Sequence, residues 1–347
     1  MLFRLSEDGC IEIARTVDRA QFYRILHHTL CEGRSESASR TLPAEVVSRA
    51  RSIGIPGEVW LAGLDDSIAD IETQWHISVG KALSGGSHAF VACADGENGE
   101  KNVLKIDMPE DLGGDFNCGM AALREVNGNG YVKLYAYDPQ KKACLLERLG
   151  KPISQLRYSV DEQLRIICQT LQETWKTPIG NTKLATGNTV WFEEFIGEAY
   201  EKLNHPCSEK AIKQALSYLK TRAADENTDE FVLIHGDAHS GNILETLNGD
   251  GFKLIDPDGL KYERAYDLGV LMREWVEKYE NKPLEKGKRR CAYMHNLTGV
   301  SEQAIWEWGY IQVISTAFVL LQIGQDALGR KMLSVAEAWV KDTMRLD

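Results

Sequence analysis

The 347-residue sequence lacks paired cysteines and any long uninterrupted apolar run. Its eight cysteines are scattered singly from Cys10 to Cys291, with no CxxC pair and no zinc-ligand spacing. A disulfide framework is therefore not expected, and a reduced, cytoplasmic protein is the simplest account. Arg4, Glu7 and Asp8 interrupt the N-terminal segment, so no signal peptide is predicted. No membrane-spanning run and no membrane association are expected.

The sequence also lacks a basic surplus, a P-loop consensus, internal repeats and low-complexity tracts. Its formal net charge is −11 at pH 7, which argues against nucleic acid as a partner and is compatible with a cationic small substrate. A chain of this length buries one or two substantial cores without needing metals to fold. We therefore expect a soluble globular protein, monomeric or homodimeric.

Two short apolar runs between residues 231 and 260 predict strands that end in polar residues. Phe231–Ile234 leads into His235, and Phe252–Ile255 leads into Asp256. Two strand ends would therefore deliver polar side chains to one place.

The polar residues between these strands have the spacing of a phosphoryl-transfer site. Asn242 follows Asp237 by five positions, as in kinase catalytic loops, where the Asp takes the acceptor's proton and the Asn holds magnesium. Asp256 falls where a second magnesium ligand is needed. The alternative is a β-hairpin whose turn contains common turn formers. Together, His235, Asp237, Asn242 and Asp256 favour the catalytic interpretation, with Asp237 as the base.

Upstream, a strand–loop–strand unit predicts a nucleotide site. Lys105 lies on the third apolar run and would meet the α- and β-phosphates as a point charge. A glycine-containing loop precedes it, and its backbone amides would approach phosphate closely. The loop residues are Ser84, Gly85, Gly86 and Ser87. Taken alone, each feature is an ordinary turn or a solvated lysine, but their order ahead of the catalytic stretch favours nucleotide binding.

Residues 143–150 predict a strand and a hinge, where main-chain groups at Glu147 and Leu149 would meet adenine. The alternative is the end of an edge strand. Gly150 and Pro152 mark the domain boundary. Residues 1–41 are predicted to form an extension without an assigned role, and residues 42–150 a nucleotide-binding lobe. Residues 151–347 are predicted to form a helical lobe with the catalytic loop and the acceptor site.

The second lobe is predicted to be mainly helical, because apolar residues recur at helical spacing from Val160 onward. Acidic and aromatic residues in this lobe are candidates to contact a cationic substrate. They are Asp258, Glu274, Glu307, Trp308 and the pair Glu193 and Glu194. A core position is the alternative for such aromatic residues.

HGDAHSGNIL at residues 235–244 and IDPDGLKYERAYDLGVLMREW at 255–275 resemble the aminoglycoside phosphotransferase superfamily, especially its streptomycin and hydroxyurea resistance kinase branch. The resemblance covers most of the chain from about Leu42 onward. It implies an α+β, protein-kinase-like fold with a β-rich first lobe containing a helix and a mainly helical second lobe. It also implies ATP or GTP with Mg²⁺ as cofactors, and support of the catalytic loop by His235, His239 and Asp267.

One position departs from the family pattern. Kinases pair the strand lysine with a Glu on the following helix, and that place in Phe116–Leu123 is occupied by Gly119. Glycine neither pairs with Lys105 nor favours a helix. Asp115 or Glu125 would have to substitute, or the nucleotide alone would hold the lysine. We expect Gly119 to lower activity or nucleotide affinity.

The sequence therefore favours a kinase that transfers the γ-phosphoryl group of ATP to a hydroxyl of a streptomycin-like aminoglycoside, inactivating an antibiotic. Two alternatives stay open. One is a kinase of a cellular amino sugar or related metabolite, because acceptor specificity lies in the variable helices. The other is a catalytically weak nucleotide-binding relative, for which Gly119 is the argument. A metal-dependent hydrolase is less favoured, because zinc sites gather their ligands at tighter spacing.

Overall fold

The computed structural model describes residues 42–83, 88–109, 116–176, 183–185 and 188–340, and the backbone of two short strands before them. The chain divides into two compact units, Met1–Gly113 with Gln140–Ala143 and Gly114–Pro139 with Cys144–Asp347. The predicted boundary at residue 150 differs from this division. The loop Ser84–Ser87, Asp115 and nearly all of the predicted extension lie outside the described residues.

The first unit contains an antiparallel β-structure and two helices. Its described elements are β1 (Arg4–Leu5), β2 (Ile11–Glu12), α1 (Ala44–Ser52), α2 (Ile55–Trp75), β3 (Ile77–Ala82), β4 (Ala89–Gly96) and β5 (Lys101–Asp107). β4 pairs with both β3 and β5, and Phe90 lies opposite Ile106. Because side chains alternate along a strand, these buried residues share one face. A carboxylate oxygen of Glu72 on α2 accepts the Val79 N–H at 2.7 Å, which ties the helix to β3.

The second unit is mainly helical, and its strands are short. Its described elements are α3 (Phe116–Val126), β6 (Leu134–Asp138), β7 (Ala143–Glu147), α4 (Val160–Thr174), β8 (Lys183–Leu184), α5 (Asn188–Lys202), α6 (Glu209–Ala224), β9 (Val232–Ile234), β10 (Ile243–Glu245), β11 (Phe252–Leu254), β12 (Leu260–Tyr262), α7 (Arg264–Arg273), α8 (Pro283–Thr298), α9 (Glu302–Gln322) and α10 (Asp326–Val340). β10 and β11 form an antiparallel pair, and β12 lies between β8 and β9. The predicted α+β class is confirmed.

Helix α9 is the core helix of the second unit. Trp306, Trp308 and Phe318 are among its fully or almost fully buried residues. In the described part of the chain it is the one helix long and apolar enough to span a membrane, but 78% of that window is buried inside the protein. Its pattern is therefore that of a helix surrounded by protein. α7 crosses it closely, since a Cβ on Gly269 would lie 2.6 Å from the Cβ of Trp308.

Helix α4 begins with a capping box. The Ser159 hydroxyl accepts the Glu162 N–H at 3.3 Å, and the Glu162 carboxylate accepts the Ser159 N–H at 2.8 Å. Two N–H groups at the helix start are thereby satisfied. The cap fixes the first turn of a helix whose Leu164, Ile167 and Leu171 are buried.

We predict that Ser159→Ala lowers the free energy of unfolding by about 1 kcal/mol, because one N–H loses its acceptor. Urea unfolding followed by far-ultraviolet circular dichroism measures the change. The control is Ser334→Ala in α10, where an exposed hydroxyl donates to the Lys331 carbonyl and caps no helix start. Equal effects of the two substitutions would contradict the assigned cap.

Candidate active site

One buried carboxylate fixes the loop that follows β9. The backbone N–H groups of His235 and Gly236 donate to Oδ2 and Oδ1 of Asp267 at 3.1 and 2.8 Å. Gly236 has a φ of +90°, a region that side chains disfavour. Asp267 lies in the first turn of α7 and is fully buried. The sharp turn is therefore held from inside the core.

Trp175 gives this carboxylate a third donor. Its Nε1 atom, just past the last residue of α4, donates to Oδ2 of Asp267 at 2.9 Å. Burial raises the pKa of Asp267, and His235 and the N–H donors oppose that rise. Three donors compensate a charge that would be costly if it were buried without partners. The sequence does not indicate this role, because a tryptophan at helical spacing predicts only a core position.

His235 ties the loop to the end of β11. Its ring Nδ1 accepts the Asp237 N–H at 3.1 Å, so Nε2 carries the hydrogen that it donates to the Ile255 carbonyl at 2.8 Å. Burial lowers the pKa of His235, which keeps the ring neutral near pH 7. The ring also stacks on Tyr131 at a centroid distance of 5.6 Å. The two predicted strand ends are thus joined by one side chain.

Asp237, the predicted base, keeps 41% of its side chain exposed. Arg273 pairs with its Oδ1 atom, and Nε2 of His239 lies 3.6 Å from its Oδ2 atom. His239 itself accepts the Gly241 N–H through Nδ1 at 3.0 Å. A partly exposed carboxylate on a fixed loop can accept a proton from a bound hydroxyl. The sequence gives no signal for Arg273, because its partner is distant in sequence.

Asn242 and Asp256 supply the oxygen atoms that magnesium prefers. Asn242 Nδ2 donates to the Asp237 carbonyl at 3.0 Å, which leaves Oδ1 as its candidate ligand atom. The Ile255 N–H donates to the Asn242 carbonyl at 2.9 Å. This backbone hydrogen bond fixes the residue that directly precedes Asp256. Among the described residues there is no group of three His, Cys, Asp or Glu that could hold a metal. Two oxygen ligands fit magnesium, which keeps waters and phosphate oxygens for its other positions.

Asp258 adds another carboxyl group beside these residues. Its N–H donates to the His235 carbonyl at 2.8 Å. Burial raises the pKa of Asp258 to about 7, with a further rise from the charges of Asp237, Asp267 and Asp256. The site therefore concentrates carboxyl groups in the second unit, and burial makes the ionisation of Asp258 costly.

Gly119 has a packing role that the sequence did not reveal. A Cβ on Gly119 would lie 2.9 Å from the Pro257 carbonyl oxygen, and a Cβ on Gly259 would overlap the Cys118 carbonyl. The backbone of helix α3 therefore lies directly against the backbone of the segment that carries Asp256. A glutamate at residue 119 would displace this segment, which explains the departure from the expected pattern.

The residues predicted to bind nucleotide lie in different environments. Lys105 Nζ lies 3.2 Å from a carboxylate oxygen of Asp107 within the first unit. In the second unit, Glu147 accepts from Lys253 Nζ at 2.6 Å and from the Lys133 N–H at 3.1 Å. Leu149 is half-buried against the core. Ser84, Gly85, Gly86 and Ser87 are outside the described residues.

The structure corrects two predicted substrate contacts. Glu307 is 2% exposed and accepts from Arg222 Nε at 2.5 Å, while Trp308 is fully buried and donates to Glu263 at 2.6 Å. Both side chains belong to the core, because α9 is buried on all sides from residue 304 to residue 315. Glu274 is half-buried and accepts from the N–H and hydroxyl of Ser240 at 3.2 and 2.7 Å. Its position supports the catalytic loop.

Comparisons with known proteins agree with this geometry. A family model described as aminoglycoside/hydroxyurea antibiotic resistance kinase matches residues 74–324. Streptomycin 6-kinase of Streptomyces glaucescens is 23% identical over 297 residues, covering 84% of this chain and 94% of that one. Hydroxyurea phosphotransferase of Kitasatospora aureofaciens is 24% identical over 306 residues, covering 85% of each.

A solved aminoglycoside phosphotransferase, a thermostable mutant in ternary complex with AMP-PNP and hygromycin B, matches with a TM-score of 0.55 and 15% identity. The match covers 80% of this chain and 98% of that one. The predicted protein-kinase-like, two-lobed fold is confirmed.

We predict that Gly119→Ala lowers the free energy of unfolding by about 1–3 kcal/mol and lowers kcat, because the added methyl displaces the backbone beside Asp256. Gly119→Glu has the larger effect. The control is Gly63→Ala inside α2, where nothing lies within 4 Å of the new Cβ. Gly63→Ala should raise the free energy of unfolding by about 0.5–1 kcal/mol, because alanine favours a helix interior more than glycine does. Urea unfolding and steady-state kinetics measure both; unchanged kcat and nucleotide KM in Gly119→Glu would refute the packing argument.

We predict a pH-dependent stability that Asp258→Asn removes. The folded-state pKa of about 7 lies above the unfolded value of 3.8, so the folded state binds more protons between them. The contribution of Asp258 to the free energy of unfolding is therefore fully present below pH 4 and falls by up to about 4 kcal/mol as the pH rises to 7. Unfolding at several pH values should show Asp258→Asn exceeding wild type at pH 8 and matching it at pH 4; parallel curves would exclude this effect.

Proposed function

Because this chain belongs to the aminoglycoside/hydroxyurea antibiotic resistance kinase family, we propose that it transfers the γ-phosphoryl group of ATP to a hydroxyl of a streptomycin-like aminoglycoside. The observation that carries the proposal is the loop whose backbone is bound by Asp267 and which presents Asp237 beside Asn242. Phosphoryl transfer depends mainly on positioning and electrostatics, and this loop supplies both.

Asp237 orients the acceptor hydroxyl and receives its proton. Its carboxylate is partly exposed, and its backbone is fixed by His235 on one side and Asn242 on the other. A base held in this way needs no rearrangement when the hydroxyl oxygen attacks phosphorus. The buried, neutral His235 ring acts on the loop backbone and takes no part in proton transfer.

Asn242 Oδ1 and the Asp256 carboxylate would hold Mg²⁺. When bound, the ion neutralises charge on the phosphate oxygens. We expect Lys105 to exchange its Asp107 partner for the phosphates as a point charge. The predicted phosphate contact through the loop Ser84–Ser87 lies outside the described residues. The backbone near Glu147 and Leu149 meets adenine. A complex of a structural relative with AMP-PNP supports a nucleoside triphosphate as the donor.

A cationic aminoglycoside suits the charges in the second unit. Asp237, Asp256 and Asp258 lie near one another, and Arg273 is the cation that offsets them. Positively charged groups of an acceptor would reduce this excess of negative charge. A streptomycin 6-kinase and a hydroxyurea phosphotransferase among the relatives support a hydroxyl-bearing antibiotic. The reaction is assigned to the cytoplasm, where ATP is available.

We predict that the purified protein transfers radiolabelled γ-phosphate to streptomycin, and that Asp237→Asn lowers kcat at least about 10²-fold, because the base is lost. The assay compares streptomycin, hygromycin B, hydroxyurea, choline and glucosamine as acceptors. Asp229→Asn is the matched control, since Asp229 is exposed in a short helical turn before β9. It should keep the wild-type rate.

The acceptor panel separates the alternatives. Preferred transfer to glucosamine would favour a metabolite kinase, and nucleotide binding without transfer to any acceptor would favour a binding-only protein. Wild-type turnover in Asp237→Asn would contradict the assigned base.

A further inference from the structure

Arg273 connects the proposed base to the core helix α9. Its Nη2 atom pairs with Oδ1 of Asp237. Its Nη1 atom donates to Oε1 of Gln312 at 3.0 Å and to the Thr316 hydroxyl at 2.9 Å. The Arg273 side chain is 19% exposed, so it is largely shielded from water. One nitrogen is thus held by the core while another holds Asp237.

The two partners on α9 are unusual residues for this helix. α9 is apolar, yet Gln312 is 3% exposed and lies one turn before Thr316 on the same face. A buried polar side chain costs free energy unless it is hydrogen-bonded, and Arg273 donates to the amide oxygen of Gln312 and to the hydroxyl oxygen of Thr316. Because the guanidinium is planar and rigid, fixing Nη1 also fixes the direction of Nη2.

The pairing distinguishes the two oxygens of Asp237. Oδ1 is occupied by Arg273, whereas Oδ2 faces Nε2 of His239 at 3.6 Å, too long for a normal hydrogen bond. Rotation of the carboxylate would break the ion pair. Oδ2 is therefore the oxygen that an incoming hydroxyl can reach as a hydrogen-bond donor.

We propose that Arg273 is a positioning residue that holds Asp237 so that Oδ2 receives the acceptor's proton. The inference rests on the proposed function. As the acceptor oxygen forms its bond to the γ-phosphorus, the bond from that phosphorus to the bridging oxygen of ATP breaks and ADP leaves. The hydroxyl proton moves to Oδ2, while Oδ1 keeps its ion pair with Arg273.

The test is kinetic and uses chemical rescue of the full chain. Arg273→Ala should lower kcat about 10²-fold with both KM values within about twofold, because the base is misplaced while substrate binding persists. Guanidinium chloride at about 20 mM should restore kcat about tenfold, and equal NaCl should not. Arg273→Lys keeps the charge but loses the planar fork, so its kcat should lie between those of Arg273→Ala and wild type.

Two further variants keep the test decisive if Arg273→Ala folds poorly. Thr316→Val removes one hydrogen bond to the guanidinium at nearly constant volume and should lower kcat about fivefold. In an Asp237→Asn background, adding Thr316→Val should change kcat less than about twofold, because positioning acts through Asp237. Arg289→Ala is the control, since Arg289 is an exposed arginine paired with Asp161. It should keep wild-type kcat and show no guanidinium response.

This inference alone would be overturned if Arg273→Ala kept the wild-type kcat. It would also be overturned if guanidinium did not restore the lost kcat and Thr316→Val lowered kcat as much in the Asp237→Asn background as in the wild type. A wild-type protein that transfers phosphate to no acceptor would overturn the proposed function and this inference together.

Discussion

The buried carboxylate of Asp267 sets the geometry of the second unit's polar site. Two backbone N–H groups and the indole of Trp175 converge on it. Hydrogen bonds to a charged group contribute about 1.5–3 kcal/mol each, which offsets the cost of burying the charge. Because the donors include His235 and Gly236, the compensation is possible only when the loop takes this sharp turn. The direction in which Asp237 leaves the loop follows from that turn.

Each carboxylate near the loop is stabilised by a different means. Asp267 has N–H donors, Asp237 has Arg273, and burial raises the pKa of Asp258 to about 7, so its neutral form is favoured below that pH. Asp256 is exposed, with a φ of +55° that costs backbone energy for a non-glycine residue. Strain persists only where the surroundings impose it, and here the close contact at Gly119 and the bond through His235 do so. The resulting negative charge favours cations in this region.

The spacing of polar residues along the sequence predicted the loop, because phosphoryl transfer requires these residue types at this spacing. Asp237, Asn242 and Asp256 belong to one strand–loop–strand stretch, so their separation along the chain determines where they can meet. Trp175 and Arg273 were missed because their partners come from other elements, and no pattern within α4 or α7 encodes such a contact. The close packing at Gly119 was not predicted for the same reason, since the backbone that needs the space lies far along the chain. The expected effect of Gly119 on activity or nucleotide affinity stays a prediction.

Helix α9 shows why acceptor contacts were hardest to predict. A helix that is apolar on all sides has no periodic face, so sequence alone cannot separate Trp308, packed in the core, from a residue that lines a cleft. The informative residues were its few polar ones. The buried amide oxygen of Gln312 needs a hydrogen-bond donor. Arg273 supplies that donor and also pairs with Asp237. In such a helix, a buried polar side chain that needs a hydrogen-bond partner identifies residues near the site better than the aromatic residues do.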